Sequence, residues 1–412
     1  MGGDFMISTP RGNRLHISIF GRRNVGKSSI INAITNQSIA LVSDVKGTTT
    51  DPVYKAMELL PIGPVVFIDT AGIDDEGYIG ELRVERTKEV ISKTNVALVV
   101  LSVENLTDNT NDLSLELSWY KELKSKNIPI IGIINKIDLI DKELVNNLKV
   151  ELADMFQIDF IEISTKEESA KENLKKAIIS NVPEDYENAT ILGDIIKAGY
   201  KILLVAPQDI QAPKGRLILP QVQVIRDILD NKAIPITVTV DNLEEGLRIL
   251  NNKPDLVITD SQVFPLVNSK LSGEVPLTSF SILMSRYKGE LDEFVKGAKA
   301  LKKLESGDKV LIAEACTHHA LKGDIARGKI PKWIKEKYAN IEIHNCNGKD
   351  FPNNLSEYKL VIHCGSCMLN RAEVLSRINS CREKGVFITN FGIAIAELNG
   401  ILNRVMEIFI EV

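Results

Sequence analysis

The sequence predicts an α/β protein of three domains. Three observations carry that reading. A short alternating strand at 15–20 runs through a glycine loop into a helical apolar pattern at 29–34. Beyond residue 190, short apolar runs alternate with helical stretches, the mark of an open α/β unit. In the last quarter of the chain, two further strand-like runs each end in cysteine and histidine. At 412 residues the chain is too long for one core, because single cores seldom grow past about 250 residues.

Composition narrows the class. The chain has 44% hydrophobic and 25% charged residues, with no apolar run near the roughly 18 residues that span a membrane. Residues 1–8 lack the basic and apolar regions of a leader, and Met6 stands where a myristoylation signal wants Ser or Thr. A cytoplasmic protein away from membranes is expected. The net charge of −5 offers nucleic acid no whole-chain attraction. Five cysteines at 316, 346, 364, 367 and 381, odd in number and clustered, point to metal or redox chemistry rather than disulfides.

The first domain, expected at 1–182, holds the nucleotide-reading residues. After the first strand comes Gly21-Arg22-Arg23-Asn24-Val25-Gly26-Lys27-Ser28-Ser29. Such a loop closes its backbone N–H groups around phosphates at a helix N-terminus. Lys27 is placed for the β- and γ-phosphates and the Ser28 hydroxyl for Mg²⁺. The strand at 65–68 ends in Asp69-Thr70-Ala71-Gly72, which sets a carboxylate by the metal and a glycine by the γ-phosphate. After the strand at 128–134 stands Asn135-Lys136-Ile137-Asp138, whose Asp can accept both N–H donors of guanine. Ser164-Thr165-Lys166 then resembles the SAK loop that backs the base in GTPases, with Thr in place of Ala. A glycine turn or a capping Asp explains any one of these motifs alone. Their order at successive strand ends predicts a P-loop GTPase domain of Rossmann-like form, binding GTP with Mg²⁺.

Gly47-Thr48-Thr49-Thr50-Asp51 resembles switch I of the TrmE/Era-type GTPases. The resemblance implies that Thr49, with Thr48 as rival, closes on Mg²⁺, and that Asn24 helps bind a K⁺ ion. The plainer alternative is that Asn24 only shapes its loop. Ile73 stands where Ras-like proteins place a water-orienting Gln, so unassisted hydrolysis is expected to be slow.

The middle domain, expected at 190–270 after a polar linker at 183–190, has strands at 202–206, 236–240 and 256–258 and helices near 216–230 and 242–252. It has no His, Cys or glycine-rich phosphate loop, so the reading is a docking or dimerising module.

The last domain is expected at 275–412. A strand at 309–313 leads to Cys316-Thr317-His318-His319, and one at 360–362 leads to His363-Cys364-Gly365-Ser366-Cys367. Strand ends converge on one site in open sheets. Cys364 and Cys367 have the spacing by which two thiolates grip one metal or cluster, and Cys316 can supply a third. A lone C-x-x-C has structural and thioredoxin-like readings too. Cys346 and Cys381 lie outside the pattern and read as small hydrophobes, while His16 and His344 read as structural or solvated.

The C-x-H followed by H-C-x-x-C resembles the signature of the GTPase that matures FeFe-hydrogenase, the HydF family, and the likeness extends over the whole chain. It implies a small α/β dimerisation domain in the middle and a C-terminal α/β iron–sulfur cluster domain. Cys316, Cys364 and Cys367 would hold a 4Fe-4S cluster with one iron open to exchange. His318, His363 and Asp324 are candidates for a fourth ligand, and either histidine is equally readable as a hydrogen-bonder beside the cluster. A homodimeric scaffold would then carry a transient diiron precursor to apo FeFe-hydrogenase, with two radical-SAM maturases as further partners. Residues 322–337 set Lys322, Arg327, Lys329, Lys332, Lys335 and Lys337 against Asp324 and Glu336. They read as a solvated helix face or as a basic run that attracts anionic cargo or a partner. Two other classes stay open: an RNA-modification or ribosome-assembly GTPase, and a GTPase with a structural zinc site.

Overall fold

Runs of β-branched residues set the architecture, because a parallel strand is covered on both faces and must be apolar along its whole length. The computed structural model describes residues 9–35, 52–70, 80–107, 112–167, 169–187, 190–207, 217–315, 325–348, 350–352 and 354–410. The chain divides into two compact units, before and after residue 188.

In the first unit six strands form one sheet: β1 Leu15–Phe20, β2 Val53–Leu59, β3 Gly63–Asp69, β4 Val96–Ser102, β5 Ile130–Asn135 and β6 Phe160–Ile163. Their order is β2-β3-β1-β4-β5-β6, with β2 antiparallel to β3 and the other pairs parallel. β1 and β4 are buried at every position, and the edge strand β2 is half exposed. From β1 the chain crosses to β3 on one side and then to β4 on the other, so the order reverses beside the end of β1. Such a reversal opens a crevice at the carboxyl ends of the strands. The glycine loop occupies it, between β1 and the helix Lys27–Thr35.

The second unit has two parallel four-stranded sheets. One, ordered β10-β9-β7-β8, comprises β7 Lys201–Val205, β8 Ile234–Val238, β9 Leu256–Thr259 and β10 Leu277–Ser279. β10 lies beyond residue 270, where the sequence reading ends the middle domain; three residues are too few to show a period. The other, ordered β12-β11-β13-β14, comprises β11 Lys309–Glu314, β12 Glu342–Asn347, β13 Leu360–His363 and β14 Phe387–Asn390. A single apolar core joins Leu203, Val257 and Leu277 of the first sheet to Val310, Ile312 and Val361 of the second.

Two strands run directly into helices through their own capping residues. Ser279 ends β10, and its hydroxyl accepts the Ile282 N–H at the start of helix Phe280–Lys288. Asn390 ends β14 and caps helix Phe391–Leu398 through the Gly392 N–H. Each cap contributes about 1 kcal/mol. Gly297 lets helix Leu291–Ala300 lie on β14, since a Cβ there would stand 1.9 Å from the Ile388 carbonyl oxygen.

Candidate functional site

At the first strand reversal the structure gathers the residues that the sequence marks for nucleotide. The Lys27 ammonium is buried and donates to the carbonyls of Gly21 and Arg22. The Ser28 hydroxyl donates to Asp69 Oδ2 at 2.8 Å, so two of the expected Mg²⁺ ligands touch each other. Asn135 Nδ2 donates to the Val25 carbonyl at 2.8 Å and ties the guanine loop to the phosphate loop. Gly26 is required between them: its φ is +95°, and a Cβ would stand 2.2 Å from Asn135 Nδ2. Asn24 also has positive φ, +64°, a conformation Asn tolerates.

Asp138, the expected guanine reader, is bonded by the Lys166 ammonium and by the Ser164 hydroxyl at 2.8 Å. Those two donors, Lys166 first, hold its carboxyl below the usual range. Thr165 lies between them in the same turn, and Ser29 lies in the first turn of the helix after the loop. Thr49 and Gly72 lie outside the described residues.

Sequence reasoning missed two ion pairs here. Arg22, in the glycine loop, pairs with buried Glu116 at 2.8 Å, and Lys136 pairs with Glu104. Neither acid belongs to a motif, so spacing gives no sign of them.

The second constellation lies at the reversal of the last sheet. From β11 the chain crosses to β12 on one side and to β13 on the other, and β11 and β13 are paired in register Ala313↔His363. The chain therefore leaves the two strands side by side, at Ala315 after β11 and at Cys364 after β13. The Ala315 N–H donates to Cys364 Sγ at 3.1 Å, and the Ser366 N–H approaches the same sulfur at 3.5 Å. Burial pushes the Cys364 thiol up, and these two donors draw it back. Two N–H groups aimed at one sulfur suit a thiolate, the form that ligates metal. The donor set present thus fits a thiolate-held cluster or metal. Cys316, His318 and Asp324 lie outside the described residues; among the described residues no three His, Cys, Asp or Glu side chains gather for a metal ion.

His363 ends β13 fully buried, with both ring nitrogens engaged. Arg377 Nη1 lies 2.9 Å from Nε2, and arginine can only donate, so Nε2 accepts and the proton sits on Nδ1. Nδ1–H then donates to the Cys364 carbonyl at 3.0 Å, with Ser366 Oγ at the same distance. Burial first, and the Arg377 charge second, pull the imidazole down to about 3, so it is neutral. Cys346 is half-buried, its thiol raised by burial to about 11; Cys381 is buried and raised to about 12.

The basic run is partly spent within the fold. Arg327 bonds Glu314 and Asn347, Lys329 bonds Gln262, and Lys337 donates to the Leu398 carbonyl. Lys332 and Lys335 are exposed, with Glu336 3.7 Å from Lys332. Lys322 lies outside the described residues.

Comparison with known proteins places each part. Residues 292–408 match the hydrogen maturase F tetramerization domain, residues 191–289 the hydrogen maturase F dimerization domain, and residues 16–136 the 50S ribosome-binding GTPase domain. The first two together cover just over half of the chain. The chain belongs to the hydrogen maturase F family. A curated relative, the tRNA modification GTPase MnmE of Christiangramia forsetii, is 30% identical over 177 residues, 41% of this chain and 37% of its own. GTPase Der of Sulfurimonas denitrificans is 34% identical over 148 residues, 35% of this chain and 29% of its own. The chain thus spans only about a third of the length of these relatives, 37% of one and 29% of the other. A crystal structure of Aquifex aeolicus Era aligns over 57% of this chain and 97% of its own, at 20% identity and a TM-score of 0.34.

In this hydrogen maturase F chain the dimerization match includes β10 and the helix Phe280–Lys288. That helix carries a residue that sequence reasoning overlooked. Lys288, 2% exposed, donates to the carbonyls of Ser366 at 3.1 Å and Leu369 at 2.8 Å, with Cys367 at 3.4 Å. Burial draws its ammonium down to about 8, against the opposing pull of Cys367 and Cys364. No motif marks a lysine so far along the chain from the loop it contacts. Among the described residues, no helix is long and apolar enough to cross a membrane.

Proposed function

We propose that this chain is a GTP-hydrolysing scaffold of hydrogenase maturation. It would hold a 4Fe-4S cluster through Cys316, Cys364 and Cys367 and carry a diiron precursor to apo FeFe-hydrogenase. The observation that supports this best is the Ala315 N–H donated to Cys364 Sγ, which brings the residue before Cys316 against the sulfur of the second group. A cluster on three thiolates supplies one iron free to take an exchangeable ligand. Around it, Ser366 and Ala315 orient the Cys364 sulfur, and Arg377 and His363 brace the turn.

In the GTPase domain, Lys27 would bind the β- and γ-phosphates, and Ser28, Thr49 and Asp69 would hold Mg²⁺. Asn24 would contribute to a K⁺ site, Gly72 would sense the γ-phosphate, Asp138 would read guanine, and Ser164 to Lys166 would back the base. Hydrolysis would time partner release. The chain would act as a homodimer in the cytoplasm, receiving its cargo through two radical-SAM maturases.

The test is activation. Chain produced with both maturases, then purified, should switch on apo FeFe-hydrogenase, and its Cys364→Ala variant should not. Activation by the variant equal to that by the unsubstituted chain would contradict the assignment.

The names of the curated relatives favour a second reading, a GTPase serving tRNA. Those alignments cover a minor part of each relative, and the second unit matches hydrogen maturase domains. Retention of RNA by the purified chain at moderate salt would revive it.

A further inference from the structure

Lys288 is a buried cation whose hydrogen bonds among the described residues all go to neutral carbonyl groups. The oxygens of Ser366, Leu369 and Cys367 satisfy its three N–H donors. They do not balance its charge, and an ammonium removed from water is costly unless an opposite charge faces it. Two residues of the loop it grips, Cys364 and Cys367, can carry the opposite charge once they are thiolates. As thiolates on a 4Fe-4S core, joined by a third, they leave the assembly net negative, and more so after reduction.

Two further contacts run from the same helix to this loop. Ser281 Oγ donates to Asn390 Oδ1 at 2.8 Å, and Asn390 Nδ2 donates to the Cys364 carbonyl at 3.1 Å. At the other end, the Tyr287 carbonyl accepts from Arg371 at 2.9 Å, at the start of the helix that follows the loop.

We propose that Lys288, from the dimerization domain, is a positioning residue of the cluster site: it clamps the Cys364–Cys367 loop by its carbonyls and supplies the positive charge that a thiolate-held cluster requires. The inference rests on the cluster reading above. It makes the reduction potential of the cluster depend on a residue of the 191–289 dimerization match, outside the 292–408 match that carries Cys364 and Cys367. Removing a positive charge beside a cluster disfavours the extra electron, so the potential moves to more negative values.

The test uses the full chain reconstituted without oxygen, unsubstituted and as Lys288→Met and Lys288→Arg. Iron and sulfide are assayed, and the midpoint potential is read by a dithionite titration followed by electron paramagnetic resonance. At full iron content, a more negative midpoint for Lys288→Met, with Lys288→Arg close to the unsubstituted chain, is the expected result. An unchanged midpoint in Lys288→Met overturns the proposal. If Lys288→Met takes up too little iron to titrate, the arginine variant decides. Iron content kept by Lys288→Arg supports the charge role, and its loss from both variants assigns Lys288 to packing alone and overturns it. Absence of iron and sulfide from the unsubstituted chain is a different failure, that of the cluster reading, and Lys288 falls with it.

Discussion

Arg377 donates to His363 Nε2 at 2.9 Å and to the Gly348 carbonyl at 2.7 Å, so one guanidinium fixes both the tautomer of the histidine and the turn beyond the edge strand. It also lies over the Phe351 ring, 4.9 Å from its centroid. The histidine in turn holds the Cys364 carbonyl. The cysteine turn is therefore braced from behind by a chain of side chains that never reaches the sulfurs.

Cutting that chain leaves a buried imidazole nitrogen without its donor. Arg377→Met should lower the opening free energy of residues 360–370 by about 2–3 kcal/mol. Native-state hydrogen exchange read by mass spectrometry measures it, and unchanged exchange in that segment would remove Arg377 from the brace.

His16 gives a pH dependence to the first unit. Burial pulls its imidazole from 6.5 down to about 4, while Nδ1 donates to the Arg14 carbonyl at 2.9 Å. The folded chain keeps His16 neutral where the unfolded chain protonates it. Its contribution is thus whole above pH 6.5 and is lost as the pH falls to 4, amounting to about 3 kcal/mol. His16→Asn, which retains an N–H donor and cannot titrate there, should flatten that part of the stability profile in urea. An equal slope in both proteins would assign the acid sensitivity to other groups.

Potassium should raise the rate of GTP hydrolysis above that in sodium, through Asn24 in its left-handed turn. Asn24→Ala should bring the potassium rate down to the sodium rate. Equal rates in the two salts for the unsubstituted chain would leave Asn24 a loop-shaping role alone.

Lys332 and Lys335 are exposed members of the basic run, whereas Arg327 and Lys337 bond other parts of the fold. If the run steers anionic cargo, Lys332→Glu with Lys335→Glu should slow transfer to apo-hydrogenase several-fold at low salt and less at high salt. Transfer at the unsubstituted rate would mark them as a solvated helix face.

The elements legible in the sequence were those marked by local chemistry or, as with β7, β8 and β9, by an apolar run between turns. β1, β3 and β5 end in residue sets whose order along the chain points to phosphate, Mg²⁺ and guanine chemistry, and β11 and β13 lead to thiols at metal-gripping spacing. β2 and β4 carry no such ending, and the motif reading does not reach them. β10 is three residues long and shows itself only through its pairing with β9. Lys288 and Arg377 were illegible for a different reason. Each acts through contacts between distant parts of the chain, and an isolated Lys or Arg on an amphipathic helix looks like a solvated one until the fold buries it. The shared core of the two sheets is likewise a tertiary fact, since apolar strands do not name their partners.

The most direct test of the scaffold reading is the metal itself. Iron, zinc and acid-labile sulfide should be measured on chain purified and reconstituted without oxygen, beside Cys316→Ala, Cys364→Ala, Cys367→Ala and the control Cys381→Ala. About four irons and four sulfides per chain, lost in the first three variants and kept in the control, is the predicted result. One zinc per chain without sulfide would contradict it and leave a GTPase whose second unit is pinned by a structural metal.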